Sequence, residues 1–246
     1  MVFLPGWGST PWIYRHALAR LARTFRVYAP AVPGFATAPG RPPDNQTLAD
    51  CSTWLGRFLD ATGLGPVTLV GHSFGGALAI RAAHDLPDRV ARLVLVNSVG
   101  GDVWPDVRGA VPPLGDGPPW ERGAATPREA LPPRTLASAT PPRPTAIART
   151  DGGDREAVGY ADPIARSRDL TAELSRLAQR RLPASLVWSR GDRLIPRASV
   201  ESLRRLLGRP PVFTVPGGHG WLITDPEYFG NAMRTVLDGF PIGVAP

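Results

Sequence analysis

Residues 66–86 read PVTLVGHSFGGALAIRAAHDL, and the fold follows from how this stretch is read. Val67, Thr68, Leu69 and Val70 form an apolar run of the kind that makes a buried strand, and the Ala-, Leu- and Ile-rich segment after Gly75 has the composition of a helix. The turn between them, Gly71-His72-Ser73-Phe74-Gly75, has the form G-x-S-x-G. Glycines on either side of the serine let the backbone reverse sharply and let neighbouring chain pack without Cβ atoms in the way. Ser73 is therefore expected at the carboxyl end of a strand with its oxygen projecting. The helix N-terminus behind it carries a partial positive charge that favours a developing oxyanion. The turn matches neither G-x-G-x-x-G nor G-x-x-x-x-G-K-[ST], so a dinucleotide or phosphate loop is a poor reading of it.

The same alternation extends in both directions. Residues 2–4 are a short apolar run that stops at Pro5-Gly6-Trp7-Gly8, the end of a strand entering a glycine loop. Ser9 and Thr10 can cap a helix with Pro11 at or near its first position, and Trp12, Ala17, Leu18 and Leu21 recur at helical spacing. Residues 25–29 are expected as the next strand, closed by Pro30 and a turn at Pro33-Gly34-Phe35. Residues 47–62 carry Leu48, Cys51, Leu55, Phe58 and Leu59 as an apolar stripe of helical period. Residues 92–96 form another buried strand, with Asn97 at its carboxyl end. Further on come a helix over 169–179, a strand at 186–188 ending at Arg190-Gly191-Asp192, and a helix over 198–207. The last strand, 212–215, runs into Pro216-Gly217-Gly218-His219-Gly220, and Asp225-Pro226-Glu227 opens a final helix with an acidic cap. Strands alternating with helices predict an α/β fold, a mostly parallel central sheet with helices on both faces.

Between these halves the pattern breaks. Pro112, Pro113, Pro118, Pro119, Pro132, Pro133, Pro141, Pro142 and Pro144 crowd a segment with no helical or strand period. So long a loop is either functional or disordered. The chain divides into an N-terminal part of the core (1–98), an insertion (99–167) expected as a cap over the catalytic edge of the sheet, and a C-terminal part of the core (168–246). A disordered excursion is the alternative for the insertion.

Composition narrows the function classes. The net charge of +7 comes from 28 basic residues that are all arginine, in a chain that also holds 29 prolines and 27 glycines. This is a compositional bias spread along the whole sequence, without a basic stripe or recognition motif, so no nucleic-acid partner is expected. The single Cys51 excludes an intramolecular disulfide and is compatible with a reducing cytoplasm, the expected location. Its place on the apolar face of a predicted helix makes it a buried thiol. The first residues have no signal-peptide pattern, and no run of roughly 20 apolar residues predicts a membrane span.

A serine hydroxyl becomes a nucleophile when a base takes its proton, and the base needs a third group to fix its tautomer and stabilise its cation. Of the four histidines, His16 and His84 lie inside predicted helices. His72 adjoins the serine in a turn where neighbouring side chains diverge. His219 sits between glycines just past a strand, at the edge of the sheet where Ser73 is expected, and is the candidate base. Asp192 follows the preceding strand and is the candidate acid. Asn97, in the corresponding position one strand earlier, cannot supply an anion. Asp102 lies a few residues further on, and Asp225 is accounted for as a helix cap.

The order Ser73, Asp192, His219, with the elbow Gly71-His72-Ser73-Phe74-Gly75-Gly76, resembles the α/β-hydrolase superfamily. In that family the nucleophile follows the fifth strand, the acid the seventh and the histidine the eighth. The resemblance implies that Pro5-Gly6-Trp7 stands where the family's oxyanion loop usually begins with His-Gly, and that the backbone N–H groups of Trp7 and Phe74 form the oxyanion hole. It also implies a pair of antiparallel strands ahead of Val2 that this chain lacks residues for. The exposed edge left behind predicts self-association, with the oligomeric state open. No metal and no organic cofactor is expected. The implied activity is that of a serine hydrolase acting on a small or medium acyl compound, a carboxylic ester first, through an acyl-enzyme on Ser73. Thioesterase, lactonase, C–C bond hydrolase and perhydrolase activities fit the same fold. A non-catalytic or impaired relative that keeps these residues is the alternative.

Overall fold

The structure, a computed structural model, describes residues 1–7, 9–33, 47–102 and 169–238. Five strands, β1 (Val2–Leu4), β2 (Val67–His72), β3 (Val90–Val96), β4 (Ala184–Ser189) and β5 (Val212–Val215), pair in that order. All four pairings are parallel. The register aligns Leu4 with Gly71, His72 with Val96, Val96 with Val187, and Ser189 with Val215. The carboxyl ends of the strands are therefore flush, and the loops that follow them leave from one edge of the sheet. This is the edge at which open parallel sheets bind their ligands.

Alternation of side chains along each strand sorts them into two layers. Val2, Leu4, Leu69, Leu93, Leu95 and Leu186 face one way. They pack with apolar residues of four helices, α2 (Leu48–Ala61), α3 (Phe74–Asp85), α4 (Thr171–Gln179) and α5 (Arg197–Leu206). Phe3, Val70, Val94, Val96 and Val187 face the other way, against α1 (Arg15–Leu21), α6 (Trp221–Thr224) and α7 (Pro226–Asp238). Coverage on both faces is why β3 reads as an almost unbroken apolar run, VARLVLV. Cys51 is buried among the α2 residues of the first layer.

Local signals explain where helices begin. Thr47 caps α2 in a reciprocal box with Asp50. Asp225 caps α7 by accepting the Tyr228 N–H at 3.0 Å, with Pro226 as the first helical residue. The region after Thr10 opens as a 3₁₀ turn, Pro11–Tyr14, before continuing as α1. Thr10 is in extended conformation there and makes no side-chain cap bond.

One expected strand is corrected. Within residues 25–29 only Tyr28 pairs, as a single parallel bridge to Val2. Its N–H donates to the Met1 carbonyl at 3.0 Å, and its carbonyl accepts from Phe3 at 2.8 Å. The Arg26 carbonyl takes the N-terminal ammonium at 2.7 Å. Pro30, two residues on, has no N–H to extend the ladder, so the edge ends as a bridge. Among the described residues the sheet thus begins at Tyr28 and β1, without the antiparallel pair that the resemblance places ahead of them. The short helix α6 was not legible in the sequence. The insertion lies outside the described residues from position 103 to 168, as does most of the turn expected at Pro33-Gly34-Phe35. No described helix is long and apolar enough to cross a membrane.

Candidate active site

Ser73 stands between β2 and α3 with φ 54° and ψ −122°, a backbone conformation that non-glycine residues rarely adopt. Close packing enforces it. A Cβ on Gly71 would lie 2.5 Å from the Gly75 carbonyl oxygen and 2.6 Å from the Gly76 Cα, and one on Gly75 would run into the carbonyl oxygens of Leu4 and Pro5. The two glycines let the strand end, the helix start and the end of β1 occupy one small volume, and the serine carries the strain. The Ser73 carbonyl is held by the N–H groups of Gly76 at 3.0 Å and Val99 at 3.3 Å.

The loop after β1 lies directly against this turn. The Cβ position of Gly6 is 3.3 Å from the Ser73 Cβ, and the Trp7 and Phe74 rings meet edge-on with centroids 5.4 Å apart. Residues 6–7 and 73–74 are therefore neighbours, as a shared oxyanion site requires.

Across the sheet edge, Asp192 and His219 come together. The Asp192 carboxylate has no exposed side-chain surface, and its Oδ2 lies 2.8 Å from Nδ1 of His219. Its Oδ1 accepts the backbone N–H groups of Leu194 at 2.8 Å and Ile195 at 2.9 Å, so both oxygens are engaged. With the carboxylate accepting at Nδ1, Nδ1 carries the ring proton and Nε2 is left basic. Among the described residues no hydrogen bond joins the Ser73 hydroxyl to His219. Asp102 is elsewhere, its carboxylate held by Ser202 and Arg205. His16 is exposed on α1, and His84 bonds Asp85 at 2.8 Å near the end of α3.

The loop carrying His219 is glycine-rich and is pinned at three successive carbonyls. Gly191 N–H donates to the Gly217 carbonyl at 2.9 Å, and Ser189 Oγ–H donates to the Gly218 carbonyl at 2.9 Å. His72 Nε2 lies 3.0 Å from the His219 carbonyl, with Asn97 Nδ2 at 3.4 Å from the same oxygen. Asn97 also donates to Ser189 Oγ at 2.7 Å and accepts the Ser189 N–H at 3.0 Å, tying the ends of β3 and β4 together. Its φ of 44° is one of the four positive values among described non-glycine residues. His72 is fully buried, with Nδ1 2.9 Å from the Tyr14 hydroxyl, and burial first and the charge of His219 second push its pKa down to about 3. The parts played by Tyr14, Asn97, Ser189 and His72 are not legible in the sequence, which marks Asn97 only as a strand-end group that cannot supply an anion. For His72, Asn97 and Ser189 the one available signal is a polar residue at the end of an otherwise apolar strand, and Tyr14, in the 3₁₀ turn, has no such signal. Among the described residues no group of three or more His, Cys, Asp or Glu gathers as a metal site.

Comparison with known proteins bears on the family and the fold. The family model described as "Alpha/beta hydrolase family" matches residues 1–232. A protein of Caulobacter vibrioides described as "Putative carbamate hydrolase RutD" is 30% identical over 223 residues, covering 80% of this chain and 74% of that protein. The 2-hydroxymuconate semialdehyde hydrolase of a Pseudomonas species is 39% identical over 104 residues, 41% of this chain and 36% of that enzyme. Among solved structures, a thermophilic esterase from Thermogutta terrifontis superposes with a TM-score of 0.71 at 22% identity, over 97% of this chain and 89% of that one, a likeness of fold.

Proposed function

The chain belongs to the alpha/beta hydrolase family, and from that premise we propose that it is a serine hydrolase that cleaves a small or medium acyl substrate, a carboxylic ester first, through an acyl-enzyme on Ser73. The observation that carries the reading is the pair formed by a strained serine at the strand-to-helix turn and a His219 whose Nδ1 is bonded to buried Asp192, both at the carboxyl edge of the sheet.

In acylation the Ser73 hydroxyl turns onto Nε2 of His219, the nitrogen that Asp192 leaves available. Oγ attacks the acyl carbon as its proton passes to Nε2, and the carbonyl electron pair moves onto oxygen. The N–H groups of Trp7 and Phe74 receive that oxyanion, supported by the positive end of α3. Asp192 stabilises the imidazolium. Collapse re-forms the carbonyl and breaks the bond to the alcohol, which leaves with the proton from His219. Water then repeats the sequence, releasing the carboxylic acid and restoring Ser73. The edge-on rings of Trp7 and Phe74, the residues on either side of the proposed oxyanion site, supply apolar surface near Ser73, which supports an uncharged acyl chain.

Labelling by a fluorophosphonate tests the assignment. Wild-type protein is expected to be labelled stoichiometrically and Ser73→Ala not at all. An unlabelled wild type, or equal labelling of the variant, ends the proposal. A panel of aryl esters, thioesters, lactones and carbamates then orders the acyl classes.

A further inference from the structure

Four polar groups at the heart of the site are joined by one chain of hydrogen bonds whose direction can be worked out. The Gly6 N–H, in the loop after β1, donates to the Tyr14 hydroxyl oxygen at 3.2 Å. The Tyr14 hydroxyl has one proton to give, and Nδ1 of His72 is 2.9 Å away. On the far side of the ring, His72 Nε2 faces the His219 carbonyl at 3.0 Å, a group that only accepts. Nε2 must therefore carry the proton, Nδ1 must be bare, and the tyrosine must donate to it. The opposite tautomer would set a lone pair against the His219 carbonyl and a proton against the Tyr14 hydroxyl, in a place closed to solvent. Tyr14 is 1% exposed and His72 3%, so neither can turn to solvent for another partner.

We propose that His72, backed by Tyr14, is a positioning residue that locks the loop bearing Gly6 and Trp7 to the backbone of His219, holding the oxyanion donors and the base in one frame. It rests on the serine-hydrolase reading given above. The His219 loop needs such a lock because glycines stand at positions 217, 218 and 220, and glycine backbone is the least ordered by itself. Asp192 fixes the rotation of the His219 ring, and His72 fixes the peptide from which the ring hangs. The two imidazoles are neighbours, with centroids 4.9 Å apart. A cationic His72 would therefore oppose protonation of His219 in the transition state. The titratable groups facing His72 are Tyr14 from the 3₁₀ turn and His219 from the loop after β5, and its burial keeps it neutral between them.

The test compares His72→Leu, His72→Gln and Tyr14→Phe. Glutamine can place an amide N–H near Nε2 and an acceptor toward Tyr14; leucine supplies neither. With an aryl ester as probe, His72→Leu is expected to lose tenfold or more in kcat with KM within about twofold, His72→Gln to recover most of that loss, and Tyr14→Phe to fall between them. Equal kcat in wild type and His72→Leu, or a glutamine variant no better than leucine, overturns the proposal. If His72→Leu fails to give a cooperative melt, the comparison of His72→Gln and Tyr14→Phe with wild type decides. The tautomer is read independently of activity from long-range nitrogen–proton spectra of histidine-labelled protein. His72 is expected as the neutral Nε2–H form, unchanged from pH 5 to 8, and an Nδ1–H form or a titration in that range overturns the lock. If wild-type protein neither hydrolyses esters nor takes up the fluorophosphonate, it is the hydrolase reading that falls, and the spectra still decide whether His72 makes the connection.

Discussion

Both oxygens of Asp192 are committed, and that fixes what an amide in its place would do. Oδ1 accepts from Leu194 and Ile195, so the side chain introduced by Asp192→Asn would keep its carbonyl oxygen there and turn its NH₂ toward His219. Nδ1 would then have to accept, the ring proton would move to Nε2, and the nitrogen meant to deprotonate Ser73 would become a donor. Asp192→Asn is thus expected to lower kcat by roughly 10⁴-fold with the melt little changed, the scale seen when an orienting carboxylate is replaced by its amide. A loss below tenfold would move the role to another carboxylate. At this scale the places of Ser73, Asp192 and His219 at strand ends were legible because each follows an apolar run and stands beside or near glycine, a pattern printed in the local sequence. The parts played by Tyr14, Asn97 and Ser189 were not. Their roles come from meeting at the sheet edge across gaps such as the 92 residues between Asn97 and Ser189, and no local pattern encodes such a meeting.

At the scale of elements, the start of α3 is pressed against the end of β1, and the contact is backbone on backbone. A methyl group on Gly75 would meet the carbonyl oxygens of Leu4 and Pro5, neither of which is the flexible end of a side chain. Gly75→Ala must push the end of β1 off the helix, carrying the Gly6-Trp7 loop away from Ser73. Overpacking of this kind costs about 1–3 kcal/mol. Urea melts of Gly75→Ala should show a loss in that range, together with slower fluorophosphonate labelling, while Gly65→Ala, with nothing within 4 Å of its Cβ position, should leave both unchanged. Equal behaviour of the two variants would mean that the elbow is not held by this contact. The major elements were readable because buried parallel strands are continuous apolar runs and the helices have regular stripes. The same apolar pattern predicts a strand over 25–29, where only Tyr28 pairs. Phe25, Val27 and Tyr28 have strand-forming side chains, but pairing needs backbone donors, and the chain meets Pro30 as soon as Tyr28 has paired.

For the whole molecule, the cost of keeping His72 neutral becomes a dependence of stability on acid. His72 falls from the ordinary 6.5 to about 3 in the folded protein. Between those values the unfolded chain binds a proton at this position that the folded chain does not, so stability rises with pH there and is lost as pH drops from about 6.5 toward about 3. The full slope for one such group is about 1.4 kcal/mol per pH unit. Asp50, whose carboxyl is held below 3.8 first by the Thr47 backbone N–H and then by the Thr47 hydroxyl, acts in the same direction but only below that value. The two effects are therefore separable in range. In urea melts at intervals from pH 7 to pH 4, wild-type protein should lose more stability than His72→Gln, whose amide does not titrate, and the difference between the two losses should grow by roughly 1 kcal/mol for each unit below pH 6. Parallel curves would show that His72 takes up its proton in the folded state without penalty, in which case neither its burial nor its single fixed tautomer survives.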